Sequence, residues 1–244
     1  STERVDRRWL IVRRRWRQLW REWLDAVLPS ACAACGASAA TLCSDCQRDL
    51  RERPGGCVRC GEPMTPAGRC TASHDAYRHL RRLVAPFVYA GTAGRLVRRF
   101  KLDGDAAAGR LLARAMANAL RSADLPGRPV VVSVPLHRAR RRQRGFDQAH
   151  WLAQFVAAQL GLRGLSGVLV RRRATKPQGD ARVLSRVENV RGAFAVQAPE
   201  VVRRRVVVLV DDVFTTGATA RACARILRQA GARNVVLLVA CQSR

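Results

Sequence analysis

The stretch VVVLVDDVFTTGAT, residues 206–219, sets two adjacent carboxylates, Asp211 and Asp212, directly behind five apolar residues and ahead of a turn rich in hydroxyls. An unbroken apolar run of this length is expected as a buried strand of a parallel sheet, and ligands of such sheets bind beyond the carboxyl ends of the strands. The turn Thr215-Thr216-Gly217-Ala218-Thr219 should lead into a helix. The first N–H groups of a helix have no intrahelical partner and carry the positive end of its dipole, so they attract an anion. Thr215, Thr216 and Thr219 add hydroxyl donors, and Gly217 lets the backbone come close. The turn is therefore a candidate phosphate cradle. Carboxylates repel phosphate at contact distance, so Asp211 and Asp212 must face another part of the ligand. Vicinal sugar hydroxyls fit, because carboxylate oxygens accept from both. The ligand implied is a ribose 5-phosphate. A helix after a strand and a solvated acidic pair are each ordinary alone; their conjunction behind an apolar strand points to function.

Other phosphate-binding signatures do not occur. There is no G-x-x-x-x-G-K-[ST] segment, and no G-x-G-x-x-G follows a strand. Two further basic features sit where loops are expected. HRARRRQR, from His137 to Arg144, carries five arginines in eight residues after an apolar stretch. Guanidinium forks hold phosphate oxygens in pairs; a solvated basic face is the plainer alternative. Lys101, in FKLDG, is one of only two lysines and could reach a leaving diphosphate as a point charge. No Ser-His-Asp or Cys-His set is found.

The second chemistry belongs to cysteine. Seven of nine cysteines lie between Cys32 and Cys70. Cys32, Cys35, Cys43 and Cys46 form a Cys-x2-Cys-x7-Cys-x2-Cys array that suits a closed tetrahedral Zn2+ site. Four protein ligands leave no position for water, so such a site is structural. A second knuckle starts at Cys57 and Cys60 and returns at Cys70, where Ser73 stands in place of a fourth Cys. Either His74 completes a Cys3His site, or this ribbon holds metal weakly or not at all. Cys223 and Cys241 stand alone on apolar stretches and are expected as inert core residues.

The elements that must position these groups divide the chain in three. Residues 1–29 have helical periodicity, with Trp9, Trp16, Leu19, Trp20, Trp23 and Val27 on one face and arginines on the other. That helix either docks on the body of the protein or offers a surface to membrane or a partner protein. Residues 30–75 are poor in large apolar side chains and need a metal staple. Residues 76–244 alternate strands and helices: strands over 83–90, 129–136, 203–210 and 234–242, helices over 92–101, 106–121, 146–160 and 217–231. This alternation predicts an α/β fold, a parallel sheet covered by helices on both faces.

The net charge of +27, carried almost wholly by arginine, favours polyanionic partners; a composition bias toward arginine accounts for part of it. No apolar run approaches the length of a transmembrane helix, and the first residues lack a signal-peptide core, so the expected location is the cytoplasm.

Taken together, VVVLVDDVFTTGAT resembles the phosphoribosyl-diphosphate motif of type I phosphoribosyltransferases. SVPLHRARRRQRGFDQA, KPQ, LSRVENVRGAF and FKLDG, with cysteine knuckles ahead of them, are similar to the ComF family, which is linked to DNA uptake in natural competence. The resemblance covers nearly the whole chain after about residue 28. It implies a type I phosphoribosyltransferase-like sheet behind a zinc ribbon, with phosphoribosyl diphosphate and Mg2+ as ligands. It gives Asp211 and Asp212 the ribose hydroxyls, Thr215 to Thr219 the 5-phosphate, and Arg144, Gly145 and Phe146 the diphosphate. Lys101 and Arg144 would join the two aspartates as catalytic residues of a glycosyltransferase. An alternative keeps the fold as a non-catalytic scaffold for single-stranded DNA and other DNA-uptake proteins. The departure from the family pattern is Ser73, which bears on the second metal and not on the sugar site.

Overall fold

The computed structural model of the chain describes residues 31–39, 41–72, 74–123, 125–136, 146–172 and 192–243. The tryptophan-bearing segment 1–29, Ser73, the basic loop 137–145 with Arg144 and Gly145, and the stretch 173–191 fall outside these residues. Two compact units are present, one ending at Asp49 and one beginning at Leu50.

The described residues of the first unit form a knuckle with one short helix, α1 (Ser44–Arg48). The Gly36 amide donates to the Cys32 carbonyl at 2.8 Å, and Ala31 bridges Ser38. Its buried residues are Cys32, Ala33, Ala34 and Cys46. These two alanines and two thiols are the buried set among the described residues of this unit, which suits a knuckle stapled by metal.

The second unit is built on a parallel sheet of order β1-β8-β7-β3-β4. The strands are β1 (Arg82–Val84), β3 (Val130–Ser133), β4 (Arg163–Leu165), β7 (Val206–Phe214) and β8 (Asn234–Gln242), and β2 (Phe87–Val88) pairs with β8 beyond β1. The sequence predicts one strand over 83–90; the structure breaks it at Ala85-Pro86, because proline has no N–H to give the ladder. The Pro86 carbonyl instead accepts from the Arg53 amide. Strand β4 was not expected; with Arg163 and Gly164 in three residues it has no apolar signature. An antiparallel ribbon, β5 (Leu169–Arg171) with β6 (Phe194–Val196), stands apart from the main sheet.

Alternation along β7 and β8 sends side chains to both faces. Val207, Leu209, Val235, Leu237 and Val239 pack with Ala220, Cys223, Ala224 and Leu227 of α5 (Ala218–Gln229) and with Leu169 and Phe194 of the ribbon. The opposite face, with Val208, Val210, Val236 and Leu238 fully buried, is covered by α2 (Gly91–Arg98), α3 (Ala106–Arg121) and α4 (Gln148–Leu160). Both faces carry helices, as the apolar strands require. Among the described residues no helix is long and apolar enough to cross a membrane.

Helix α2 does not simply end. It runs on into a π turn, Arg99–Asp103, closed by Gly104 in the left-handed region at φ 67°. Such wide turns recur at functional sites. Phe100 is buried beneath it, against Trp151 of α4 at 5.3 Å between ring centroids and edge-on to Phe146 at 5.5 Å. Gly109 on α3 makes room for this ring: a Cβ there would lie 2.6 Å from Phe100 and 3.1 Å from Trp151. In an exposed helix, Gly→Ala gains about 1 kcal/mol. Here overpacking costs about 1–3 kcal/mol and wins. Gly109→Ala is therefore expected to lower the melting temperature; an unchanged or higher value would show that the ring moves freely.

Candidate functional site

The positions of Asp211 and Asp212 follow from where the neighbouring strand stops. β3 ends at Ser133, opposite Val210, and the Val134 amide makes a last bond to the Val210 carbonyl at 2.8 Å. Beyond that point β7 continues with β8 on one side only, and a cavity opens along its freed edge. Its volume is about 550 Å3. Both aspartates line it, with Thr215, Thr216, Gly217, Ala218 and Thr219, Lys101, and Pro135 and Leu136 from the end of β3.

Strand alternation directs the two carboxylates to opposite sides of β7. Asp212 lies toward the helices α2 to α4, and its Oδ2 meets Lys101 Nζ at 2.8 Å. The π turn delivers Lys101 to that point, and Gln148 Nε2 donates to the Lys101 carbonyl at 3.4 Å. Asp211 lies on the α5 side. One oxygen of each carboxylate is fixed by the next amide: Asp212 N–H donates to Asp211 Oδ1 at 2.9 Å, and Val213 N–H to Asp212 Oδ1 at 2.7 Å. Burial, then the charge of Asp212, pushes the Asp211 carboxyl up to about 8, against the pull of the Asp212 amide and Lys101.

The turn after β7 differs from the other helix start at the cavity, where Asp147 caps α4 by accepting from the His150 amide. α5 begins at Gly217 with no side-chain cap. Gly217 has φ 69°, and a Cβ there would lie 2.4 Å from the Phe214 ring, so this position takes only glycine. The uncapped amides of α5 and the hydroxyls of Thr215, Thr216 and Thr219 thus border the same cavity as the acids.

Arg171, at the end of β5, also lines this cavity and was not singled out in the sequence. Its guanidinium lies 5.5 Å over the Phe194 ring of β6. The available signal was an arginine closing a short apolar run, but three consecutive arginines there hid which one turns inward. Phe146 packs on Phe100 and is not among the cavity-lining residues. Arg144 and Gly145 lie outside the described residues, though Leu136 and Asp147, which flank that loop, both line the cavity. Cys223 and Cys241 are fully buried, and burial pushes both thiols up, Cys241 to about 12, in keeping with inert core residues.

The metal-ligating residues form two groups of four. Cys32, Cys35, Cys43 and Cys46 have ligand atoms within 4.8 Å of one another, and so do Cys57, Cys60, Cys70 and His74. Ligands about 2.3 Å from a tetrahedral Zn2+ stand about 3.8 Å apart. Cys35 and Cys43 sulfurs are 3.7 Å apart, Cys60 and Cys70 3.4 Å, and His74 Nε2 is 3.2 Å from Cys57 and 3.7 Å from Cys60. Both groups fit zinc, and His74 takes the fourth place in the second. That second knuckle belongs to the unit of the sheet: Leu83 N–H of β1 donates to the Val58 carbonyl at 2.8 Å. Among the described residues no third cluster of three or more metal-ligating side chains lies together.

Comparison with known proteins agrees with this layout. The double zinc ribbon domain family matches residues 23–74, and the phosphoribosyl transferase domain family matches residues 147–244. The chain is 35% identical to the DNA utilization protein YhgH of Salmonella typhi over 83% of its own length and 90% of that protein. It is 30% identical to competence protein F of Haemophilus influenzae, over 80% and 87% of the two chains. Among solved structures it is similar to the glutamine phosphoribosylpyrophosphate amidotransferase of B. subtilis, with 21% identity and a TM-score of 0.36; the match covers 53% of this chain and 25% of that one.

Proposed function

Because this chain belongs to the ComF family, with a double zinc ribbon ahead of a phosphoribosyltransferase domain, we propose that it binds phosphoribosyl diphosphate with Mg2+ at the end of β7. The observation that carries this reading is one cavity bordered by two carboxylates, an uncapped helix start and Lys101. In this proposal Asp211 and Asp212 accept from the ribose hydroxyls, and Thr215 to Thr219 hold the 5-phosphate. Lys101 and Arg171 lie to either side, with Arg144 and Gly145 assigned to the diphosphate end and Phe146 to packing behind it on Phe100. Mg2+ would arrive on the ligand's own oxygens, since it commonly keeps phosphate and water ligands, and would neutralise the leaving diphosphate. Transfer breaks the bond from the anomeric carbon to diphosphate and forms one to an acceptor nucleophile. The protein's part is to orient the sugar and stabilise its developing positive charge, for which carboxylates beside the ring are suited. The setting we assign is that of the named relatives, DNA utilization and competence, and thiolate metal ligands fit the reducing cytoplasm.

Titration calorimetry with phosphoribosyl diphosphate, with and without Mg2+, tests the proposal. Burial and the Asp212 charge raise the proton affinity of Asp211 to about 8, which favours its protonated form in the empty site near neutral pH. Ribose hydroxyls and Mg2+ both favour the carboxylate, so binding is expected to release close to one proton. The measured enthalpy should then change with the ionisation enthalpy of the buffer. Absent binding heat would refute the ligand; a buffer-independent enthalpy would refute the role of Asp211.

A further inference from the structure

The second zinc knuckle reaches the phosphate loop through two side chains that neither chemistry claims. Immediately after His74 the chain makes a 3-10 turn, Asp75–Tyr77, whose Tyr77 amide donates to the His74 carbonyl at 2.9 Å. The Tyr77 ring stands 6.4 Å from the Phe214 ring, and the Arg221 guanidinium lies 5.3 Å from its centroid. Arg221 Nη1 donates to the Thr216 carbonyl at 2.5 Å, and the Arg221 amide to the Gly217 carbonyl at 2.8 Å. Phe214 occupies the space beside Gly217 where a Cβ would fall. A continuous series of contacts therefore runs from the metal-ligating His74 to the backbone of Thr216 and Gly217.

A second route joins the same two places. Gln242, at the end of β8, is buried; its Nε2 donates to the Cys60 carbonyl at 3.5 Å, and its Oε1 accepts from Arg53 Nη1 at 2.9 Å. Gln242 pairs with Phe214 across the β7–β8 ladder, and the Ser243 amide donates to the Phe214 carbonyl. The knuckle is thus fixed to the last residue of β7 as well as to the first turn of α5. A carbonyl held by a guanidinium fixes the peptide plane whose other end is the next amide, so Arg221 sets how that amide is presented to an anion.

We propose that Tyr77 and Arg221 are positioning residues through which metal in the second knuckle sets the phosphate loop, so that zinc loading raises affinity for the 5-phosphate end of the ligand. The inference rests on the sugar-phosphate site proposed above. Metal holds His74, His74 fixes the turn that carries Tyr77, and Tyr77 backs the guanidinium that grips Thr216. Loss of metal frees the turn, and the loop must then pay its own ordering entropy on binding.

The test uses the zinc-loaded full chain, with ribose 5-phosphate and inorganic pyrophosphate as separate calorimetric probes. Tyr77→Leu is expected to weaken ribose 5-phosphate about tenfold and to leave pyrophosphate unchanged. Tyr77→Phe, which keeps the ring under the guanidinium, should bind within about twofold of wild type. Arg221→Met should match Tyr77→Leu and carries the test if the leucine variant fails to fold. Chelation of zinc should weaken wild type by at least that factor and either variant by much less. Wild-type affinity in both Tyr77→Leu and Arg221→Met, or losses that multiply with chelation, would overturn the coupling. Failure of wild type itself to bind ribose 5-phosphate would instead sink the site, and the coupling with it.

Discussion

Replacing Asp211 and Asp212 together with asparagine is expected to weaken phosphoribosyl diphosphate by about a thousandfold, since each charge-assisted hydrogen bond lost costs roughly 1.5–3 kcal/mol. Calorimetry would read this as loss of all binding heat. The fold should survive. Asp211 is a carboxyl that the folded chain prefers to keep protonated: its affinity for a proton rises from an ordinary 3.8 to about 8. Between those values the native state holds a proton that the unfolded chain has released. Stability of the empty wild type therefore falls as pH rises from about 4 to 8, and the deficit is absent below that window. Asparagine cannot ionise, so the single variant Asp211→Asn should show a flatter melting temperature across the window. Asp212→Asn removes the partner of Lys101 instead, and offers no such gain. A double variant that still binds the ligand would remove the ribose from this site altogether. A variant that lost binding only by unfolding would leave the carboxylates a structural role.

Zinc removal is the second large effect. Two equivalents per chain are expected, one for each group of four ligands. Structural zinc contributes roughly 10–16 kcal/mol of apparent binding free energy to small modules, far beyond what Ala33 and Ala34 add to the first knuckle by burial. After chelation, trypsin should cut faster at Arg48, Arg51, Arg59 and Arg69, while fragments containing β3, β7 and β8 persist. His74→Ala should lower the metal content to one equivalent. A loaded protein that yields a single zinc, or a tryptic pattern indifferent to chelator, would refute the paired staple.

The parts of the molecule legible in the sequence are those fixed by local chemistry. Paired cysteines announce a metal whatever surrounds them, and VVVLV is too apolar to be anything but a covered strand. The acids behind it and the glycine at its turn are then placed by the strand itself. What escaped depended on tertiary partners. Lys101 could be suspected, but not the wide turn that brings it to Asp212, because that turn is stabilised by Phe100 seating between α3 and α4. Arg171 was hidden among like neighbours, and only pairing with β6 distinguishes it. Strand β4 carries an arginine and a glycine and owes its conformation to β3. Nor does any local signal say that the second knuckle is held by Gln242, which lies 182 residues from Cys60.

That last contact bears on how the chain is assembled. β8 is the interior strand between β1 and β7, yet among the described strands it is made after both its neighbours. Until residues 234–242 have left the ribosome, β1 lacks its partner strand and Cys60 and Arg53 lack their Gln242 contacts. The slow search for these distant pairings must come after the local helices and thiol clusters have formed. The nascent protein should therefore hold its metal before it has a sheet, with metal capture preceding closure around β8.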